Sequence, residues 1–428
     1  MSNEEAPPSK RIRLSTSRER QVVTEDDMQY LNSDCLAMIF SYLDFVALIR
    51  ASGTCKVWSK VAKSVLKTRK IYLTYSAMEL ILRSNSGIEA VADHCLNVTR
   101  LTAPQSYNRE SPLTITLFSQ FPNLTHLWLS RSGVSEKVLH TILVNSNALE
   151  RLDVSHNTRD LTGKCFNLHL PSSLKHLNVS DTSCVKELVM AACAERCPKL
   201  VSLDVAGLPF SDKHTDAVKG MVMPSLKSLT IGYRREKGAL NFKPVTTPNL
   251  EYLSVSYCTL GSSLNTLAKK CPKLKSFFLF YCTVGKGIDK FVSSLKGLKL
   301  IELGLEEFDY GKRKQKVDQV ELVILIIIDY WRNLEVLSFT YLDELNNGHF
   351  SRLIQGLPLL RLLNIKNCKK VSSGFEKLLT ALKMGKRNQA LEVRIKDCGC
   401  AFNHQMPQFN INLKTCDYGP DYFKHYFR

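Results

Sequence analysis

Apolar residues recur along most of this chain in the order L-x-x-L-x-L, with Val, Ile, Phe or Ala replacing some of the leucines. The first position falls at Val98, Leu124, Leu149, Leu174, Leu200, Leu226, Leu250, Leu274, Leu298, Leu334, Leu360 and, weakly, Ala390. The successive spacings are 26, 25, 25, 26, 26, 24, 24, 24, 36, 26 and 30 residues. Alternation over the last three positions predicts a short strand, because successive side chains of a strand face opposite sides. The rest of each unit leaves room for a helix or an irregular return. Pro122, Pro198, Pro224, Pro248, Pro272 and Pro358 each stand two residues before a first position, where a fixed φ suits the turn that starts the strand.

Upstream, the period changes. Leu36, Ile39, Phe40 and Leu43 fall at i, i+3, i+4 and i+7, one face of a helix that Asn32 or Ser33 can cap, with Asp34 in its first turn. Trp58, Val61, Ala62 and Val65 repeat that spacing, Gly53 separates the two stretches, and Leu48 and Ile49 supply apolar contacts between them. A unit of about 40 residues is marginal by itself, so its apolar face calls for a partner.

This stretch resembles the F-box, whose usual pattern is L-P-x-E-x-L-x-x-I-F-x-x-L, a variable turn, a Leu and then V-C-K-x-W. The matching residues are Leu31, Asp34, Leu36, Ile39, Phe40, Leu43, Leu48, Cys55, Lys56 and Trp58. Asn32 stands where the family usually has proline and Thr54 where it often has valine, so the entry turn and one packing contact are expected to differ. The resemblance implies docking onto the Skp-type adaptor of a cullin-based (SCF) ubiquitin ligase. Leu31, Leu36, Ile39, Phe40, Leu43, Leu48, Cys55 and Trp58 are the adaptor-binding residues it points to.

The repeat periods match leucine-rich repeats, in which each strand and its return make one coil. The cysteines keep the same register: Cys258, Cys282, Cys368 and Cys398 lie eight residues after the first position, the place Asn157 takes in an earlier coil, and Cys95, Cys197 and Cys271 lie three before it. They read as small buried packing residues. The pattern resembles the cysteine-containing leucine-rich repeat that often follows an F-box. The expected fold is therefore α/β, an N-terminal three-helix F-box followed by a curved solenoid, or horseshoe, of about 11–12 repeats. Residues 1–25 read as a disordered tail with a short basic import-like stretch, 26–70 as the F-box, 71–400 as the repeats and 401–428 as an aromatic cap or tail.

Composition narrows the function. The 428 residues are 44% hydrophobic and 23% charged, as in a globular chain. The N-terminal stretch has no apolar leader pattern, and the longest apolar run, Leu322 to Ile328, falls short of the ~20 residues that span a bilayer. The expectation is a cytoplasmic or nuclear protein with reduced thiols and no membrane partner. Cys398, Cys400, His404 and Cys416 fit no standard zinc spacing. No phosphate loop, dinucleotide fingerprint, nucleophile elbow or zinc-protease motif occurs, so neither cofactor nor enzyme is expected.

The residues flanking the last two apolar positions of each strand are expected to face the inner wall. Most are small or polar, which leaves room for a partner. Trp128, Phe278 and Phe280 are aromatic exceptions, and Tyr233, Tyr257, Tyr281 and Tyr341 follow seven residues after their first positions. With Tyr252, they make an aromatic patch of the kind that anchors protein partners. An alternative reading has each tyrosine cover its own loop and pack on its neighbour. Between Lys199 and Lys299, 16 basic residues face six acidic ones, and the chain carries a net +18. Arg234 and Arg235, beside Tyr233, are the contact candidates for an acidic or phosphorylated protein substrate. The basic loop 311–316 and the apolar helix after it, Val317 to Trp331, account for the spacing of 36. The function expected is that of a non-catalytic substrate receptor. Its alternative is a scaffold without ligase function or a nucleic-acid-binding repeat protein.

Overall fold

The computed structural model describes residues 32–82, 91, 95, 97–103, 121–158, 161–209, 222–233, 238–239, 246–260, 267–284, 295–306, 319–342, 344–372, 374–381, 387–398, 404–406 and 410–415. Leu31, Arg234, Arg235, the loop 311–316, Cys400, Cys416 and the N-terminal tail lie outside the described residues. The chain divides into two compact units, Met1–Val65 and Leu66–Arg428.

In the first unit, helices α1 (Ser33–Ser41) and α2 (Phe45–Ser52) lead into α3 (Lys56–Thr68). Asn32 is the N-cap of α1, its side chain accepting from the Cys35 amide at 2.7 Å, and Asp44 caps α2 by accepting from Ala47 at 2.7 Å. An Asn N-cap satisfies an amide that proline could not reach, which explains the departure at this position. Leu36, Phe40 and Leu48 are each 1% exposed, and the Phe40 ring meets Trp58 edge-on at 5.2 Å. Val61, Ala62 and Val65 are buried on α3.

The second unit is built on one 15-stranded sheet: β1 (Ile71–Leu73), β2 (Val98–Thr102), β3 (His126–Trp128), β4 (Arg151–Asp153), β5 (His176–Asn178), β6 (Ser202–Val205), β7 (Ser228–Gly232), β9 (Tyr252–Ser256), β11 (Ser276–Phe280), β13 (Glu302–Glu306), β14 (Val336–Thr340), β15 (Leu362–Lys366), β16 (Leu391–Lys396), β18 (Ile411–Thr415) and, antiparallel at the end, β17 (His404–Met406). The others run parallel. A second, three-stranded parallel sheet joins β8 (Gly238–Ala239), β10 (Cys258–Leu260) and β12 (Thr283–Val284). All twelve expected first positions lead into a strand of the main sheet, and β1 and β18 add a parallel strand at each end, so the solenoid is longer than expected.

Register explains the core. Leu127, Leu152, Leu177, Leu203, Leu229, Leu253, Phe277, Leu303, Leu337, Leu363 and Val393 stand side by side in adjacent strands, all at most 2% exposed. The same pairing corrects one coil. Ser276 pairs with Glu302 and Leu279 with Leu305, so the first position of that coil is Leu300, not Leu298. Its strand motif is Leu300, Leu303 and Leu305, the spacings become 26 and 34, and Gly304 rather than Glu302 occupies the central variable position. The helix Gln319–Tyr330 fills the longer return, burying Val323, Ile324 and Ile327, while Trp331 donates its Nε1 hydrogen to the Leu298 carbonyl at 3.1 Å.

Eight residues after the first position, seven of the described coils place a Ser, Asn, Thr or Cys that ties off the strand, while Leu208 and Leu342 fill the place in two others. Asn157 Nδ2 donates to the carbonyls of Leu129 at 2.7 Å and Val154 at 2.8 Å, and its Oδ1 accepts from the Gly133 amide at 2.7 Å. Ser132 and Thr182 donate to their own strands at 2.7 and 2.8 Å. Cys258, Cys282, Cys368 and Cys398 place a thiol against strand carbonyls 3.2 to 3.5 Å away. The described cysteines are free thiols, and burial pushes those of Cys95, Cys184, Cys197 and Cys258 up to about 12, the behaviour of inert packing residues. Asn157→Ala, which orphans buried groups in two coils, is expected to cost about 3 kcal/mol in urea unfolding. Asn157→Cys, which restores a donor used elsewhere in the solenoid, is expected to cost less.

Candidate functional site: a helical docking patch and a polar groove

On the helical unit, the apolar residues divide into two sets. Leu36, Phe40 and Leu48 form its interior, whereas Met38 is 68% exposed, Ile39 48%, Tyr42 86% and Val57 51%. Leu43, Cys55 and Trp58 are intermediate. Of the adaptor residues inferred from sequence, Leu36, Phe40 and Leu48 thus support the helices from within, and Ile39 reaches solvent. Met38, Tyr42 and Val57 are exposed apolar residues as well, and the i, i+4 spacing of Met38 and Tyr42 is a signal legible in the sequence.

The groove of the repeat unit arises from strand geometry. Side chains two, four and six places after the first position leave the same face of the sheet. In β3 to β11 they line an open groove of about 880 Å³ that includes Trp128, Arg151, Asp153, His176, Asn178, Asp204, Thr230, Tyr252, Ser254 and Phe280. The expected patch is therefore divided. Trp128, Tyr252 and Phe280 line the groove, but Phe278 is 0% exposed, its ring lying where a Cβ on Gly304 would come within 2.3 Å of its Cδ1. Phe278 is a supporting residue, 5.5 Å from the Tyr252 ring and 6.4 Å from Phe280.

The position seven after the first has a backbone cause that the side-chain pattern did not reveal. Arg131, His156, Asp181, Tyr257, Tyr281, Tyr341, Asn367 and Asp397 all have φ between 51° and 58°, and Gly207 in the same place has 70°. Nine of the described coils, though not that of Tyr233, thus leave their strands through one left-handed residue. Its amide continues the ladder, as from Tyr257 to the Phe280 carbonyl at 2.8 Å and from Tyr341 to Lys366 at 2.9 Å. The turn lays Tyr257 and Tyr281 face to face, 4.5 Å apart and 5° from parallel, and Tyr281 is 37% exposed. Tyr233 packs instead against the buried Lys186, whose Nζ is 4.4 Å from its ring and donates to the Gly232 carbonyl at 2.9 Å. Burial lowers the pKa of that lysine. Tyr341, 49% exposed, stands two coils beyond the stacked pair, past the β13 coil, with Lys366 6.0 Å from its ring.

Electrostatics divide rim from groove. At the rim, Lys175 reaches Glu150 at 2.9 Å, Lys275 and Lys227 share Glu251 at 2.8 and 3.7 Å, and Arg361 reaches Glu335 at 2.9 Å. Much of the described rim charge is thus compensated locally, in exposed pairs worth little stability. Inside the groove, Asp153 accepts from the Ser155 amide at 2.9 Å and Asp204 from Ala206 at 3.1 Å.

Comparison with known proteins agrees with both units. Residues 28–70 match the F-box domain, and residues 90–209 match the leucine-rich repeats of FBD-associated F-box protein At5g56370. The chain thus contains an F-box domain and leucine-rich repeats like those of an F-box-associated protein. No curated protein matches it in sequence. Among solved structures it is similar to an internalin of Listeria monocytogenes (12% identity, 90% of this chain and 98% of that one, TM-score 0.46). It is also similar to a chain of the yeast Rad7 and Elc1 complex (15% identity, 81% and 91%, TM-score 0.48). The crystal structure of a TLR13–ssRNA13 complex is a third (17% identity, 73% of this chain, TM-score 0.42), of whose chain this one spans only 44%.

Proposed function

We propose that this protein is the substrate-receptor subunit of an SCF-type ubiquitin ligase. The F-box docks on the Skp-type adaptor, the groove holds a protein substrate, and other subunits transfer ubiquitin. The receptor accelerates transfer by proximity, raising the effective concentration of substrate lysines near the charged carrier. The observation that carries the proposal is the exposed apolar set Met38, Ile39, Tyr42 and Val57 on an F-box whose own core is complete without it. Co-expression with the adaptor tests it: the two chains should co-elute as one complex, and separate elution would overturn the reading.

Charge supports a protein cargo over a nucleic acid. Asp153 and Asp204 sit in the middle of the groove, where a continuous phosphate backbone would meet them. For the stacked tyrosines, the combined change Tyr257→Ala and Tyr281→Ala is expected to weaken cargo capture at least ~10-fold with an unchanged melting temperature. Unchanged capture by a folded variant would assign the stack to packing alone.

A further inference from the structure

One column of the groove is unlike its neighbours. The residues two places after the first position are Arg100, His126, Arg151 and His176 in four consecutive strands, and register pairs each directly with the next. Adjacent parallel strands lie about 4.8 Å apart, so these side chains form an unbroken cationic and imidazole row. Arg100 rests 4.9 Å above the Tyr72 ring at one end, and Ser202 follows His176 at the other.

Two observations point to an anion as the ligand of the row. Arg151 lines the groove, and its Nε is buried with no hydrogen-bond partner. A buried donor left unpaired is costly and is normally satisfied in a working complex. Burial, with Arg100, Arg151 and Lys175 around it, holds His126 below its ordinary pKa despite the opposing carboxylate of Glu150. Burial, Arg151, His126 and Lys175 do the same for His176. Burial is the larger cause of both shifts, and the nearby Arg100, Arg151 and Lys175 act in the same direction.

The neighbouring column has the opposite sign. Four places after the first position come Trp128, Asp153, Asn178 and Asp204, with Asn178 donating to Asp153 at 3.3 Å. The groove thus sets a cationic row beside one that carries two carboxylates, a poor match for the uniform charge of a nucleic-acid backbone.

We infer that the row Arg100–His126–Arg151–His176 is the specificity element of the groove, and that it takes an acidic or phosphorylated side chain of an extended protein segment lying across β2 to β5. The inference rests on the reading of the groove as the cargo site. A carboxylate or phosphate lying between Arg151 and His176 would pair with the Arg151 guanidinium through a charge-assisted hydrogen bond. The rest of the segment would pass over the Asp153 column and meet it with neutral or basic side chains.

The test presents the full chain, purified with its adaptor, with degenerate peptide pools whose fixed central residue is serine, glutamate or phosphoserine. The glutamate or phosphoserine pool should be retained about ten-fold over the serine pool. Arg151→Ala combined with His176→Ala should bring the ratio to about one without changing the melting temperature, and Arg151→Lys should keep part of it. Equal retention of all pools by the wild type, or enrichment that persists in the double variant, overturns the inference. So does a single-stranded oligonucleotide that binds more tightly than any pool and is released by the same variant. Failure of the adaptor to co-purify is a separate outcome, which sinks the receptor reading while the pools still report on the row in the chain alone.

Discussion

Gly207→Val is expected to destabilise the repeat unit by about 3 kcal/mol or more, the largest effect of any single surface-loop substitution proposed for this protein. Two causes add. Gly207 has φ of 70°, a conformation that a β-branched residue enters only with strain. A Cβ there would also stand 2.2 Å from Asp181 Oδ1, in the equivalent position of the preceding coil. That carboxylate cannot simply withdraw, because it faces His156 Nδ1 at 3.2 Å in the coil before it. Seen from the chain, the left-handed position tolerates Arg131, His156 or Tyr281, and only the approach of Asp181 makes glycine necessary at 207. Urea unfolding of Gly207→Val against Gly207→Ala measures it. The alanine variant is expected to be the milder, and wild-type stability in both would show that the coil relaxes freely.

Ile39→Asp together with Val57→Asp is expected to reduce affinity for the Skp-type adaptor at least ~100-fold, because anchoring side chains at an interface commonly carry about 2 kcal/mol each. Both side chains are about half exposed, so charge there leaves the fold intact. Leu36→Ala or Phe40→Ala would also lose the adaptor, but through the interior: removing a fully buried Leu or Phe costs about 2–5 kcal/mol in a unit with little to spare. Titration calorimetry paired with circular dichroism separates the two routes. Retained adaptor affinity in the doubly charged variant would place the docking surface elsewhere.

The sequence period was enough to place a strand at every coil between Val98 and Ala390, since a leucine ladder repeats its spacing wherever the core repeats its geometry. It misplaced one coil because Leu298 and Leu300 both read as a first position, and only pairing with β11 decides between them. The terminal strands β1 and β18 escaped because an end coil is not framed by the full pattern on both sides. At the candidate sites, residue type was legible and direction was not. Phe278 looked like an exposed anchor because a strand position does not reveal that the next coil brings a glycine beneath the ring. Leu36 and Phe40 of the F-box pattern build its core, while the exposed Met38, Tyr42 and Val57 stand outside that pattern. The row from Arg100 to His176 could have been read from the repeat alignment, two places after each first leucine. It lies outside the apolar positions that define the repeat, so the hydrophobic period does not mark it.

Affinity capture of the full chain from cells, wild type beside the Ile39→Asp, Val57→Asp variant and quantified by mass spectrometry, tests the central claim most directly. The account predicts that wild type recovers the Skp-type adaptor and a cullin, and that the variant loses both while keeping a set of other proteins, the cargo. Recovery of neither adaptor nor cullin by a folded wild-type chain would contradict it.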